Sequence, residues 1–309
     1  MTHTILGAGG PIGSGLAKDL ISSNIRTRLV GRKPSPIESA EVVSADLVDA
    51  KATNDAVAGS SIVYLLAGLP YRFGVWQQLW PLIMDNVIEA CKRANARLLF
   101  FDNVYMYGKV AGAMTEETPY APCSRKGEIR ARIATSLMDE VKAGNLMAMI
   151  ARSADFYGPV TPHGIANILV FEALERGAKA SWLVDADMPH SFTYIPDAVR
   201  GVTDLAAKES AWNQVWHLPT TSAPPTGREF ITMAAQEFGV APKFRVLSRP
   251  MLRLVGMFDT NVRESYEMLY QSDSPYIFNS TKYARGFGFA GTPYAEGIRH
   301  SAQSYKSTI

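Results

Sequence analysis

Thr4-Ile5-Leu6-Gly7-Ala8-Gly9-Gly10-Pro11-Ile12-Gly13-Ser14-Gly15-Leu16 is the stretch whose reading decides the fold. A short apolar run passes into glycines. A helical pattern follows, in which Leu16, Leu20 and Ile21 share one face. Strand, Gly-x-x-Gly-x-x-Gly turn and helix in that order predict the opening of a βαβ unit. Gly7 allows the tight turn. Gly10 lets the backbone approach a pyrophosphate, and Gly13 lets helix and strand pack closely. Pro11 and Ile12 lead into the helix, whose first N–H groups and positive dipole end suit a phosphate. A dinucleotide-binding loop is therefore expected at Gly7, Gly10, Pro11, Ile12 and Gly13.

Outward from this loop, strand-like runs recur at Thr27–Val30, Glu41–Ser44, Ile62–Leu66, Arg97–Phe101 and Leu146–Ala151. Helical patterns alternate with them at Ile12–Ser22, Ala50–Val57, Trp76–Ala94 and Gly127–Ala143. Asn24 and Gly144 stand where a left-handed C-cap is wanted. Such alternation predicts right-handed βαβ units, an α/β fold with a doubly wound parallel sheet. The second half is less regular. A helix is expected over Gly164–Arg176 and short strands at Ser191–Ile195 and Val215–Leu218. Asp197 is expected to cap a helix running to Ala207. Thr226 with Glu229 reads as a capping box for a helix to Phe238. Thr292-Pro293 opens a last helix. The Ser/Thr/Pro-rich loop Thr220–Gly227 is the best internal boundary.

Composition narrows the function. The 309 residues carry 31 Lys+Arg against 29 Asp+Glu, and 47% are hydrophobic. That is material for a packed core, and it gives no basic face for nucleic acid. The 5 His show no metal-ligand spacing, so no metal is expected. Cys91 and Cys123 form no CxxC pair, which suits a reducing compartment. No apolar stretch reaches the roughly 20 residues of a membrane span. A cytoplasmic protein without a membrane partner is expected.

The end of the second strand selects among dinucleotides. A carboxylate there would grip the ribose 2′-hydroxyl of NAD. The segment Leu29-Val30-Gly31-Arg32-Lys33 has none. Arg32 and Lys33 can instead pair with a 2′-phosphate, which favours NADP(H) with NAD as the alternative.

Further stretches carry a resemblance. The glycine spacing resembles that of the short-chain dehydrogenases/reductases. Asp46-Leu47 is similar to that group's adenine-contacting pair, and Ala67-Gly68 to the turn beneath the cofactor. Asn86-Val87-Ile88, Tyr105-Met106-Tyr107-Gly108, Phe156-Tyr157-Gly158-Pro159, Phe192–Asp197 and Thr292–Ile298 also resemble family stretches. The chain thus resembles the extended branch, the NAD-dependent epimerase/dehydratase family, over almost its whole length. The resemblance implies a dinucleotide-binding domain from 1–158 plus 190–219. A smaller C-terminal substrate domain would comprise 159–189 plus 220–309. It also implies a homodimer through the helix after the fourth strand and the helix of Lys126. A carboxy-terminal substrate domain implies a small-molecule substrate.

Two family positions have changed. The family uses a Ser or Thr, and a Tyr four residues before a Lys. The Lys and the cofactor's charge lower the phenol's pKa from about 10. Here Lys126 is present, Pro122 stands at the Tyr position and Asn103 at the Ser position. Lys126 is expected to hold the nicotinamide ribose and Asn103 to orient a substrate oxygen. Tyr120, six residues before Lys126, and Tyr105 are candidate proton donors, with Tyr107 and Cys123 as further options. The Asn that faces substrate phosphate in the family is Asp155 here, followed by Tyr157. Unless Asp155 pairs with an Arg such as Arg152, its carboxylate would repel a sugar-nucleotide diphosphate. The expected activity is NADP(H)-dependent oxidation, reduction or epimerisation of a small organic carbonyl or alcohol. The alternative is a catalytically silent dinucleotide sensor or partner-binding protein.

Overall fold

Apolar runs along the early strands become the centre of a parallel sheet. The computed structural model describes residues 1–159, 161 and 164–306. Its contacts divide the chain into two units. The first is Met1–Met106, Arg125–Arg152 and Ala198–Trp216. The second is Tyr107–Ser124, Ser153–Asp197 and His217–Ile309. Residues 107–124, 153–158, 190–197 and 217–219, grouped with the dinucleotide domain by sequence, group by contact with the second unit.

In the first unit, β1 (Thr2–Leu6), α1 (Pro11–Ser22), β2 (Arg26–Gly31), β3 (Glu41–Ser44), α2 (Ala50–Val57) and β4 (Ser60–Leu65) follow in order. Next come α3 (Phe73–Ala94), β5 (Arg97–Asp102) and α4 (Arg125–Lys142). The seven-stranded sheet runs Val215–His217, Ala148–Arg152, β5, β4, β1, β2, β3. Pairings from Ala148–Arg152 through to β3 are parallel. Ile5, Leu6, Val63, Leu65, Leu98 and Leu99 are all fully buried. Burial on both faces is what near-continuous apolar strands require. On α1, Ile12, Leu16, Ala17 and Leu20 face inward, and Asn24 follows the helix in the left-handed region. Asp49 caps α2 by accepting from the Ala52 N–H. Helix α3 starts at Phe73, three residues before the periodic pattern suggested, and carries Pro81 within it.

Among its described residues the second unit holds three two-stranded parallel pairs. Asp155–Tyr157 pairs with Phe192–Tyr194, and Ala180–Leu183 with Phe244–Leu247. Ala113–Met114 pairs with Ile277–Phe278. An aromatic core of Tyr157, Phe171, Trp182, Phe192 and Phe230 lies among them. The capping box of Thr226 and Glu229 is present, with the helix running Gly227–Phe238. Two expectations change. Over 164–176 the chain makes a π-turn at Asn167–Phe171 before the short helix Glu172–Glu175. Asn167 donates there to the Gly158 carbonyl and the Tyr305 hydroxyl, at 2.8 and 2.9 Å. Asp197 is not a cap, because its helix already begins at Ile195. Its carboxylate instead accepts from the N–H and hydroxyl of Thr292. No described helix is long and apolar enough to cross a membrane.

His3 ties β1 to β4 through a 3.0 Å contact between Nδ1 and the Tyr64 hydroxyl. Burial lowers its pKa from 6.5 to about 4. The unfolded chain therefore binds this proton more readily, and stability falls as pH drops from 6.5 towards 4. In urea melts across that window, His3→Gln flattens the slope. An unchanged slope would remove His3 as its source.

Candidate functional site

The glycine loop shows which glycines serve packing and which serve access. Gly7 has φ +90° and its N–H donates to the Val30 carbonyl at 2.9 Å. A Cβ on it would lie 2.4 Å from the Ala67 Cα, so the loop rests directly on the turn after β4. A Cβ on Gly13 would lie 2.9 Å from the Ala8 Cα. At Gly10 a Cβ would meet nothing within 4 Å. Gly10 is also the N-cap of α1, with no side-chain cap bond, and Pro11 fills the first helical position. Open space in front of uncapped helix N–H groups fits the pyrophosphate of a dinucleotide.

Around the loop the expected cofactor residues take these places. Arg32 and Lys33 are exposed just beyond β2. The Asp46 carboxylate accepts from the Val48 N–H at 3.1 Å. Leu47 is buried, and its carbonyl accepts from Asn86 Nδ2 on α3 at 2.9 Å. Asn86 also reaches the Val48 carbonyl, so one amide pins the whole segment to α3. Ala67 is half-buried and Gly68 is exposed.

At the end of β5 a turn is built from side chains. The Asn103 N–H donates to Asp102, and Asn103 Oδ1 accepts from the Tyr105 N–H at 3.0 Å. Its carbonyl oxygen therefore shapes the turn, and the donor face of the amide remains for chemistry. Lys126 opens α4 and is fully buried, with Nζ 4.7 Å from the centre of the Tyr71 ring. Tyr71 donates to the Tyr105 hydroxyl at 3.4 Å. Tyr105 and Lys126 thus meet in one cluster, through Tyr71. Tyr120 belongs to the second unit, where it packs edge-on against Tyr107 at 6.2 Å. The Tyr107 hydroxyl lies 2.8 Å from His217 Nε2. Cys123 is exposed.

Beneath the turn is a buried charge cluster that sequence reasoning missed. Asp102 lies 3.4 Å from Arg130 and 3.8 Å from Arg152. Burial raises its carboxyl above the usual range, against the pull of both guanidiniums. Arg130 lies over the Trp80 ring at 4.2 Å and the Trp76 ring at 5.0 Å. The available signal was spacing: Arg130 follows Lys126 by one helical turn on the same face.

In the second unit, Asp155 and His190 line an open cavity with Ile165, Leu169, Trp182 and Phe192. His190 Nε2 lies 2.9 Å from Asp155 Oδ2. Its ring stacks on Tyr276 at 4.3 Å. Asp155 therefore pairs with a histidine, not with Arg152, which faces Asp102. Tyr157, expected beside the substrate, is 1% exposed and stacks on Tyr294 in the aromatic core. Burial holds its phenol well above the usual value. Among the described residues no cluster of His, Cys, Asp and Glu could hold a metal ion.

Solved structures resemble the chain along its full length. The UDP-glucose 4-epimerase of Thermus thermophilus in complex with NAD is 18% identical, with 100% of both chains covered and a TM-score of 0.81. MoeE5 in complex with UDP-glucose and NAD is 22% identical, covering 100% of this chain and 99% of that one, with a TM-score of 0.81. DesIV, a dTDP-glucose 4,6-dehydratase of Streptomyces venezuelae with NAD and TYD bound, is 16% identical over 99% and 97% of the chains, with a TM-score of 0.80. At these identities the likeness is one of fold. No curated protein sequence matches the chain. The profile of the NAD dependent epimerase/dehydratase family matches residues 3–216, and the chain belongs to that family.

Proposed function

We propose that the protein is an NADP(H)-dependent oxidoreductase or epimerase of atypical extended short-chain type. Its substrate would be a small neutral or cationic carbonyl or alcohol rather than a nucleotide sugar. The cavity of the second unit carries this reading. Its described lining has the Asp155 carboxylate and the His190 imidazole but no lysine or arginine. A diphosphate beside Asp155 would meet like charge in a partly desolvated place, at a cost on the order of several kcal/mol. A hydroxyl or ammonium donor would instead gain a charge-assisted hydrogen bond. Trp182, Leu169 and Phe192 offer apolar walls to the rest of the molecule. The UDP-sugar proteins share the fold, but function follows the site.

The solved relatives hold NAD. Here the absence of a carboxylate in Leu29–Lys33 and the exposed pair Arg32 and Lys33 support NADP(H). A bound nicotinamide would supply hydride exchange with the substrate carbon. Lys126 would hold its ribose, the Asn103 amide would orient the substrate oxygen, and Tyr105 or Tyr120 would hold the proton. Leu82, 49% exposed on α3, supports a homodimer through α3 and α4. One observation favours the silent-sensor reading: Pro122, at the family's tyrosine position, has no proton to exchange.

Fluorescence titration separates the cofactors. NADPH is expected to bind more tightly than NADH. Arg32→Ala should weaken NADPH roughly tenfold, the worth of one charge-assisted bond, and leave NADH unchanged. Equal affinities would sink the Arg32 argument.

Calorimetry with UDP-glucose tests the substrate class. No heat of binding is expected, and NADPH oxidation is expected with small neutral or amino-substituted carbonyls. Saturable UDP-glucose binding would overturn the reading of Asp155. NADPH binding with no turnover across such a panel would favour the sensor.

A further inference from the structure

The phenol that the family places four residues before its lysine has no counterpart at Pro122. Two phenols from elsewhere in the first unit gather at that lysine. Tyr71 lies between β4 and α3, and Tyr105 follows β5. The Tyr71 hydroxyl donates to that of Tyr105 at 3.4 Å, and the Tyr71 ring covers Lys126 Nζ at 4.7 Å. Trp76 holds both rings, edge-on to Tyr71 at 5.4 Å and stacked on Tyr105 at 6.3 Å. Both tyrosines are half-buried, so the pair is ordered by packing yet open on one side.

Charged groups of three elements lie near this pair. Lys126 and Arg130 come from α4, Asp102 from β5, and Arg152 from the strand Ala148–Arg152. Arg130 lies over the Trp76 ring at 5.0 Å, the same ring that packs on both phenols. Lys126, which lies against the Tyr71 ring, and Arg130, one helical turn on, favour a phenolate on this pair. Arg130 is itself clamped by the faces of Trp76 and Trp80, so its charge is fixed in place.

Resting on the carbonyl–alcohol reading above, we propose that Tyr105 passes its proton to the substrate oxygen and Tyr71 resupplies it, with Lys126 and Arg130 stabilising the charge left behind. In the reductive direction the carbonyl carbon receives a hydride, with its two electrons, from a reduced nicotinamide dinucleotide. The Tyr105 Oη–H bond breaks as an O–H bond forms on the substrate oxygen. The Tyr71 proton then moves to Tyr105, which leaves one negative charge on Tyr71 Oη. A solvent proton neutralises it, and oxidation runs the same moves in reverse. Tyr105 is the catalytic residue of this scheme and Tyr71 a positioning and relay residue.

Ultraviolet titration of phenolate absorbance in the cofactor-free protein tests the relay. The difference between wild type and Tyr105→Phe isolates the pair among the 13 tyrosines. The pair is expected to begin ionising below about 10, the ordinary tyrosine value. Tyr71→Phe and Lys126→Met should each move the remaining ionisation upward by about one pH unit. In turnover, Tyr105→Phe should lower kcat roughly a hundredfold. Tyr71→Phe should shift the pH–rate profile and leave KM unchanged. Both Phe variants keep the ring and its packing, and an unaltered melting temperature verifies that. An ordinary or raised phenol in the wild type overturns the relay. So does a Tyr71→Phe that moves neither the titration nor the pH profile. Because the titration needs no nucleotide, either result leaves the cofactor reading standing, whereas failed NADPH binding with NADH bound would strike the NADP(H) preference alone.

Discussion

The buried meeting of Asp102 with Arg130 and Arg152 is the constraint on which the first unit's site depends. It joins the end of β5, the strand Ala148–Arg152 and α4. Two guanidiniums face one carboxylate where all three are nearly inaccessible to water. Desolvating each ion costs several kcal/mol, and Coulomb attraction alone rarely returns more than that. Aromatic faces contribute the remainder for Arg130, since Trp80 and Trp76 take the place of hydrogen-bond acceptors around its plane. Loss of Asp102 would leave two buried cations facing each other. The end of β5, the Asn103 turn and the register of α4 are therefore fixed by the same contact.

The second unit solves a different problem. Its strands are too short to bury a sheet face, so aromatic side chains fill the interior. Glycines make the close approaches possible. A Cβ on Gly227 would lie 2.2 Å from Trp182, and one on Gly297 2.2 Å from the Tyr157 hydroxyl. Tyr157 and Asp155 stand on one short strand, one in the aromatic core and the other at the cavity. Residues two apart on a strand share a face, so the core and the cavity lie along the same side of it and the packing residue borders the cavity carboxylate.

Legibility followed the range of the interactions. Ala50–Val57 and Glu41–Ser44 were readable residue for residue, because period and capping are local. The strands Ala180–Leu183 and Phe244–Leu247 were not, because each is defined by a partner more than sixty residues away. The glycine loop was readable because its glycines answer to neighbours a few residues off or to empty space. Asp155 stood out in the sequence, but its partner His190 lies 35 residues away and only the fold selects it over Arg152. Asp197 had the composition of a cap and a different use, since the helix began two residues earlier and left its carboxylate for Thr292.

The departures at Pro122 and Asn103 bear on chemistry through this same cluster. A lone phenol needs a nearby cation to ionise near neutrality, and the family sets that cation one helical turn from it. Here one turn of α4 carries two cations: Lys126 lies against the Tyr71 ring, and Arg130 against Trp76, which packs on both phenols. Arg130 cannot swing away, because Asp102 and two indole rings hold it. A fixed positive field costs no reorganisation when a proton leaves, which is the condition for electrostatic stabilisation of a transient phenolate. The loss of a tyrosine at one position therefore does not by itself make the site silent. What decides the matter is whether a phenol with an exchangeable proton lies within that field, and in the first unit Tyr71 and Tyr105 are the phenols packed against Lys126 and Trp76.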